Sequence, residues 1–302
     1  MKITANSVGI EVDDSGAGLA ANGQPRPVVL LIMGLGMQLI AWPPELVQGL
    51  VNAGFRVVRF DNRDAGLSQS FDYLGTPGLL WTGLKYRLGW RIRPPYSLQD
   101  MAADALGVLD ALQIHQAHIV GVSMGGMIAQ RLALTASARM LSLASIMSSS
   151  GARGLPAAQP EVTRLLLSRP ANKSMQSAID HSVRLFKAIG SPGFALSETD
   201  LRERVTAAHQ RSFRPRGIAR QIVAIVADST RAAALAGVAV PTLVVHGKAD
   251  PLVPFACGED TARRIPGARL AGIEGLGHDL PPGVVDRLLE LLIPHFDAAN
   301  SK

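Results

Sequence analysis

The chain has 302 residues, with 30 Lys and Arg against 24 Asp and Glu, and one cysteine. A chain of that length buries about three quarters of its unfolded surface, enough for a large core, and a lone Cys257 excludes an intrachain disulfide framework. The start, Met1-Lys2-Ile3-Thr4-Ala5-Asn6, lacks an apolar signal core, and the longest uncharged apolar stretch, Val28 to Trp42, is too short and too interrupted to span a membrane. A cytoplasmic protein with no membrane span is therefore expected.

In chain order, strands come first. Lys2 to Val12 reads as strand, followed by Pro27 to Met33, which Gly34-Leu35-Gly36 ends. A helix is expected from Pro44 to Ala53 and a strand from Phe55 to Phe60. Phe71 to Pro95 holds Tyr73, Trp81, Tyr86 and Trp90 among Gly and Pro. It reads as a loop or short helices over the core, with the aromatics packing it onto the body in preference to lining a pocket. Ser97 caps a helix whose apolar positions are Leu98, Met101, Ala105, Val108, Leu109 and Leu112. His118 to Val122 reads as a buried strand, Met127 to Leu134 as a helix and Met140 to Met147 as a strand. The alternation then stops at Ser148-Ser149-Ser150-Gly151.

From Gly151 to Leu235 only helical patterns occur, cut by Pro156, Pro160, Pro170, Pro192 and Pro215. Strand resumes at Val240 to His246. A helix around Cys257 to Arg264, a strand at Arg269 to Ile273 and a helix from Gly283 to Ile293 complete the chain. Alternating strand and helix predicts an α/β core with a mostly parallel sheet and helices on both faces. The core is residues 1–150 and 236–302, and residues 151–235 form a helical insertion. That insertion carries 13 Arg and Lys against 6 Asp and Glu, so the net excess lies there. Only Phe186, Phe194 and Phe213 stand among its arginines, too few platforms for nucleic acid. A solvated basic surface is the expectation.

The most specific pattern is Gly121-Val122-Ser123-Met124-Gly125-Gly126, a serine between an apolar strand and a helix. A hydroxyl is a poor nucleophile until a sharp turn presents it to a base. The glycines admit the close strand–helix approach that such a turn needs. Of seven histidines, His278 alone sits in a glycine-flanked loop after the last strand, Gly275-Leu276-Gly277-His278-Asp279. Loops at the carboxyl ends of parallel strands are where such sheets place their chemistry. Asp250 ends the preceding strand, in His246-Gly247-Lys248-Ala249-Asp250-Pro251, and supplies an orienting acid. Asp279 is expected to point elsewhere. The order is Ser123, Asp250, His278.

With these pieces, together with Met33-Gly34-Leu35-Gly36 and Asp61-Asn62-Arg63-Asp64-Ala65-Gly66-Leu67-Ser68, the chain resembles the α/β-hydrolase family over nearly its whole length. Within that family it is similar to serine esterases with a helical cap, in the group containing aclacinomycin methylesterase. The resemblance implies a helical cap at 151–235, ester hydrolysis through an acyl-enzyme, and a small-molecule ester substrate. It implies oxyanion donors at the backbone amides of Leu35 and Met124. It also disfavours dehalogenase or epoxide hydrolase chemistry, since those relatives carry aspartate at the elbow. No metal or organic cofactor is required. Asp61, Arg63 and Asp64 are expected to brace their loop by local hydrogen bonds. Thioesterase, lactonase, C–C hydrolase and perhydrolase chemistry use the same three residues, and a receptor-like binder with little turnover shares the fold.

Overall fold

A computed structural model describes residues 1–19 and 23–301. Residues 20–22 and 302 of the expected core lie outside them. The described elements begin with β1 (Lys2–Ala5), β2 (Val8–Asp14), β3 (Val28–Ile32), α1 (Pro44–Asn52) and β4 (Arg56–Phe60). They continue with α2 (Leu79–Arg87), α3 (Leu98–Ala111), β5 (Ala117–Val122), α4 (Met124–Thr135) and β6 (Met140–Ile146). Helices alone follow: α5 (Pro160–Leu167), α6 (Met175–Ile189), α7 (Glu198–Arg211), α8 (Pro215–Ala227) and α9 (Arg231–Ala234). Then come β7 (Thr242–Gly247), α10 (Phe255–Arg264), β8 (Arg269–Ile273) and α11 (Val285–Asn300).

The eight strands form one sheet in the order β1-β2-β4-β3-β5-β6-β7-β8. Strand β2 runs antiparallel to both its neighbours, and every pair from β4 onward is parallel. Side chains alternate across a strand, and β3 shows what that achieves here. Leu30 and Ile32 join the core formed with Leu98, Met101, Leu109 and Ile128 of α3 and α4. Val29 and Leu31 join the opposite core, with Leu46 and Leu50 of α1 and Leu288, Leu292 and Phe296 of α11. A sheet buried on both faces needs near-continuous apolar strands, and β3, β5 and β7 are buried at every position. The α/β architecture with helices on both faces is thus as expected.

Three details differ from the sequence expectation. The first strand is a hairpin, because Asn6 and Ser7 both take left-handed φ, 49° and 62°. That two-residue turn matches the twist of paired strands. The last helix runs on through Pro294 to Asn300. A mid-helix proline costs about 3 kcal/mol, and the packing of the next two side chains offsets that cost. Phe296 is fully buried and stacks on His118, and His295 Nε2 donates to the Leu143 carbonyl at 3.1 Å. Finally, the aromatics of the segment after Phe71 do not pack it down. Phe71 and Tyr96 at its ends are buried, whereas Tyr73, Trp81, Tyr86 and Trp90 are exposed.

Candidate active site

Ser123 follows β5 directly and opens α4 with φ 54° and ψ −119°. A non-glycine residue adopts that region only when its surroundings force it. The flanking glycines show the force. A Cβ on Gly121 would lie 2.2 Å from the Gly125 carbonyl oxygen, and one on Gly125 would lie 2.0 Å from that of Ile32. Strand and helix therefore meet backbone to backbone. The Ser123 amide is held by the Ile146 carbonyl at 2.9 Å, and the Ser123 carbonyl accepts from Ser148 Oγ at 2.7 Å.

The structure brings the three sequence candidates together at the carboxyl ends of β5, β7 and β8. His278 Nε2 lies 3.0 Å from Ser123 Oγ. His278 Nδ1 lies 2.7 Å from Asp250 Oδ2. The Asp250 side chain is fully buried, while His278 keeps a small exposed edge. Asp250 Oδ1 accepts the amides of Leu252 and Val253 at 2.9 and 2.8 Å, leaving Oδ2 for the imidazole. The turn carrying Asp250 is tied to His246, whose Nε2 donates to the Val253 carbonyl at 2.7 Å. Burial holds His246 below the usual histidine range, so it stays neutral. Cys257, the other candidate nucleophile by residue type, is excluded by its surroundings: burial pushes its thiol up to about 11.

The loop after β3 packs against the serine. A Cβ on Gly34 would lie 3.2 Å from Ser123 Cβ and 3.7 Å from Oγ. The amides of Leu35 and Met124 donate to no protein acceptor among the described residues. Asn62 Nδ2 holds the Met33 carbonyl at 2.9 Å. The Asp61–Asp64 stretch was expected to brace itself locally. It does so: Asp61 Oδ2 accepts the Leu67 amide and Asp64 Oδ1 the Phe71 amide, each at 2.8 Å, while Arg63 pairs with Asp104 of α3 at 2.6 Å. Further bonds reach the helical segment. Asp61 accepts from Arg211 Nη1 at 2.7 Å, and Asp64 takes a bidentate pair from the fully buried Arg220, both at 2.7 Å. The Asp64 carboxylate raises the Arg220 pKa. Gln221 spans the junction: its Oε1 accepts the Gly36 amide and its Nε2 donates to the Arg63 carbonyl, each at 2.8 Å.

The helical segment also holds the His278 loop. The His278 amide donates to the Ile189 carbonyl at 2.8 Å, and the Gly193 amide donates to that of Gly275 at 2.8 Å. Ser191 Oγ accepts the Gly277 amide at 2.9 Å and donates to the Asp279 carboxylate. Asp279 thus points away from the imidazole, as expected. Its burial pushes its carboxyl above the usual range. Sequence reading passes over Ser191 and Gln221, because nothing local distinguishes one serine or glutamine of a helical stretch from another.

Comparison with known proteins agrees with this architecture. The α/β-hydrolase fold family matches residues 27–281. The chain belongs to the α/β-hydrolase family. Rhodomycin D methylesterase DnrP from Streptomyces peucetius is 31% identical over 90% of this chain and 91% of its own length. A second streptomycete rhodomycin D methylesterase, DauP, is 30% identical over the same shares. The resemblance to the methylesterase group therefore holds along nearly the full length. Among solved structures, a meta-cleavage product hydrolase from Pseudomonas fluorescens superposes with a TM-score of 0.75. It is 21% identical, and the match covers 99% of this chain and 98% of that one, so it speaks for the fold. No helix among the described residues is long and apolar enough to cross a membrane.

Proposed function

We infer that this chain is a serine carboxylic-ester hydrolase working through an acyl-enzyme, with methyl esters as its substrate class. The observation that carries this reading is the relay Ser123 Oγ to His278 Nε2 at 3.0 Å and His278 Nδ1 to Asp250 Oδ2 at 2.7 Å. Such spacing lets the imidazole take the serine proton as Oγ attacks the ester carbonyl carbon. Asp250 fixes the tautomer with the proton on Nδ1 and stabilises the imidazolium that forms. The oxygen charge of the tetrahedral intermediate falls to the Leu35 and Met124 amides, which lie beside the serine without other acceptors. Donors fixed before the charge develops are worth about 10²-fold or more in rate each. His278 then protonates the leaving alcohol, and the same imidazole activates a water to release the acid. No step calls on a metal or an organic cofactor.

The methyl ester preference rests on the two streptomycete relatives, whose names specify methylesterase activity. We take residues 151–235 as the cap over the site, because its Ser191, Arg211, Arg220 and Gln221 grip the loops around Ser123. The test is methanol release from a panel of methyl esters, set against the matching esters of larger alcohols. Sustained turnover, fastest with methyl esters and abolished in Ser123→Ala with unchanged circular dichroism, is the expected result. Equal activity in Ser123→Ala would overturn the serine mechanism. A preference for large alcohols would overturn only the substrate class.

A further inference from the structure

Helix α2 is turned inside out. On a helical wheel Leu80, Trp81, Leu84 and Leu88 fall within one arc of about 100°, the width of an ordinary core-facing stripe. That arc faces solvent: Leu80 is 88% exposed, Trp81 54% and Leu88 52%. The opposite side, with the buried Thr82, rests on the protein. Trp90, also 54% exposed, extends the patch and meets Trp81 edge-to-face at 6.3 Å between ring centroids. Single exposed apolar residues are ordinary, but a contiguous cluster of this kind marks a contact surface.

The charge carried by this stretch has one sign. No Asp or Glu occurs from residue 73 to residue 99, while Lys85, Arg87, Arg91 and Arg93 all do. None of the four pairs with a carboxylate among the described residues. Arg153 joins them, lying over the Tyr86 ring at 5.8 Å. The carboxylates that border the region are already engaged: Asp72 by Arg220, Asp228 by Arg131 and Arg231, and Asp100 by the Ser97 amide and hydroxyl. A second copy docking through this face would set like charges against like charges, since a two-fold interface is self-complementary. Leucine and tryptophan ringed by unpaired arginines instead match a surface that is apolar below and anionic above. Tryptophan favours the headgroup level, and basic residues are drawn to anionic lipid.

We propose that α2 and Trp90 form a peripheral docking surface for an anionic phospholipid bilayer. The helix has nine residues, far short of the roughly 20 a span requires, so it lies in the interface. The proposal uses none of Ser123, Asp250 and His278 and does not depend on the esterase reading.

The test is co-sedimentation of the full chain with vesicles of phosphatidylcholine alone and of phosphatidylcholine with phosphatidylserine. Binding to the anionic vesicles, released by added salt, is expected. Tryptophan emission should shift to the blue on binding, a signal from Trp81 and Trp90 because Trp42 is already buried. Leu80→Ser with Leu84→Ser should lower partitioning about ten-fold or more, and Arg91→Gln or Arg93→Gln about five-fold each. Circular dichroism and turnover of a short water-soluble ester should stay unchanged in these variants. Equal binding to neutral vesicles, or no binding to either, would overturn the proposal. So would a concentration-dependent dimer that the double leucine variant dissociates, which would assign the face to a second copy.

Discussion

Asp250 meets His278 through a single oxygen, because two backbone amides occupy the other. Replacing it by asparagine keeps the shape, but the two backbone amides hold the asparagine oxygen, so its NH2 faces the imidazole as a donor where an acceptor stood. The imidazole then loses the group that fixes its tautomer. Asp250→Asn should lower kcat by about 10⁴-fold with KM little changed, which steady-state kinetics on a methyl ester checks. Ser123, Asp250 and His278 are each legible in the sequence, since each follows the end of a strand and stands among glycines or before a proline. Ser191 is not. It reaches the Gly277 amide from 86 positions away, and a contact of that range leaves no local pattern. The Asp61–Asp64 stretch is legible as a loop braced by its own side chains, but its longer-range bonds are not. Its partners Arg211 and Arg220 emerge once the helices fold back over it.

At the level of elements, the strand-and-helix alternation is readable because parallel strands buried on both faces must be continuously apolar. The exceptions have physical causes. Pro294 reads as a helix end by propensity, yet packing of Phe296 and His295 carries α11 past it. Helix α2 reads as a packed aromatic segment, but its apolar arc faces outward, and burial cannot be read from composition. The loop from Ile189 to Gly193 and the loop from Gly275 to Asp279 form a second such case. They interlock without side-chain space: a Cβ on Gly277 would lie 2.5 Å from the Gly190 carbonyl oxygen. Ser191 closes this clasp. Ser191→Ala takes the hydroxyl from the Gly277 amide and the Asp279 carboxylate, so His278 drifts from its serine. A loss of about 10- to 100-fold in kcat with KM nearly constant is expected. Ser191→Thr, which keeps the hydroxyl, should restore most of it. A parallel fall in stability with kcat unchanged would assign Ser191 a structural role alone.

Across the whole molecule, stability should fall in mild acid. His118 lies on β5 between the two layers, with Ser142 Oγ at 2.9 Å and Asn300 Oδ1 at 3.0 Å. Burial lowers its pKa from 6.5 to about 4. The folded state therefore favours the neutral ring, and the unfolded chain takes up the proton first. The contribution is fully present above pH 6.5 and is lost progressively as pH falls toward 4. By pH 5 the loss amounts to about 2 kcal/mol. Burial also lowers His209, His246 and His295, so they act in the same direction. Urea midpoints at pH 7 and pH 5 should differ for the native chain, and the difference should shrink in His118→Gln. An unchanged difference would place the acid sensitivity elsewhere.

The architecture also explains why one site forms from three distant stretches. A parallel sheet aligns the carboxyl ends of β5, β7 and β8 on one edge, and the helices between β6 and β7 lock the loops there. The most direct measurement is mass spectrometry of the chain after reaction with a slowly deacylating ester. One acyl group per chain, located by proteolysis on Ser123 and absent from Ser123→Ala, is the predicted result. Labelling at any other residue, or turnover with no covalent intermediate and no dependence on Ser123, would contradict it.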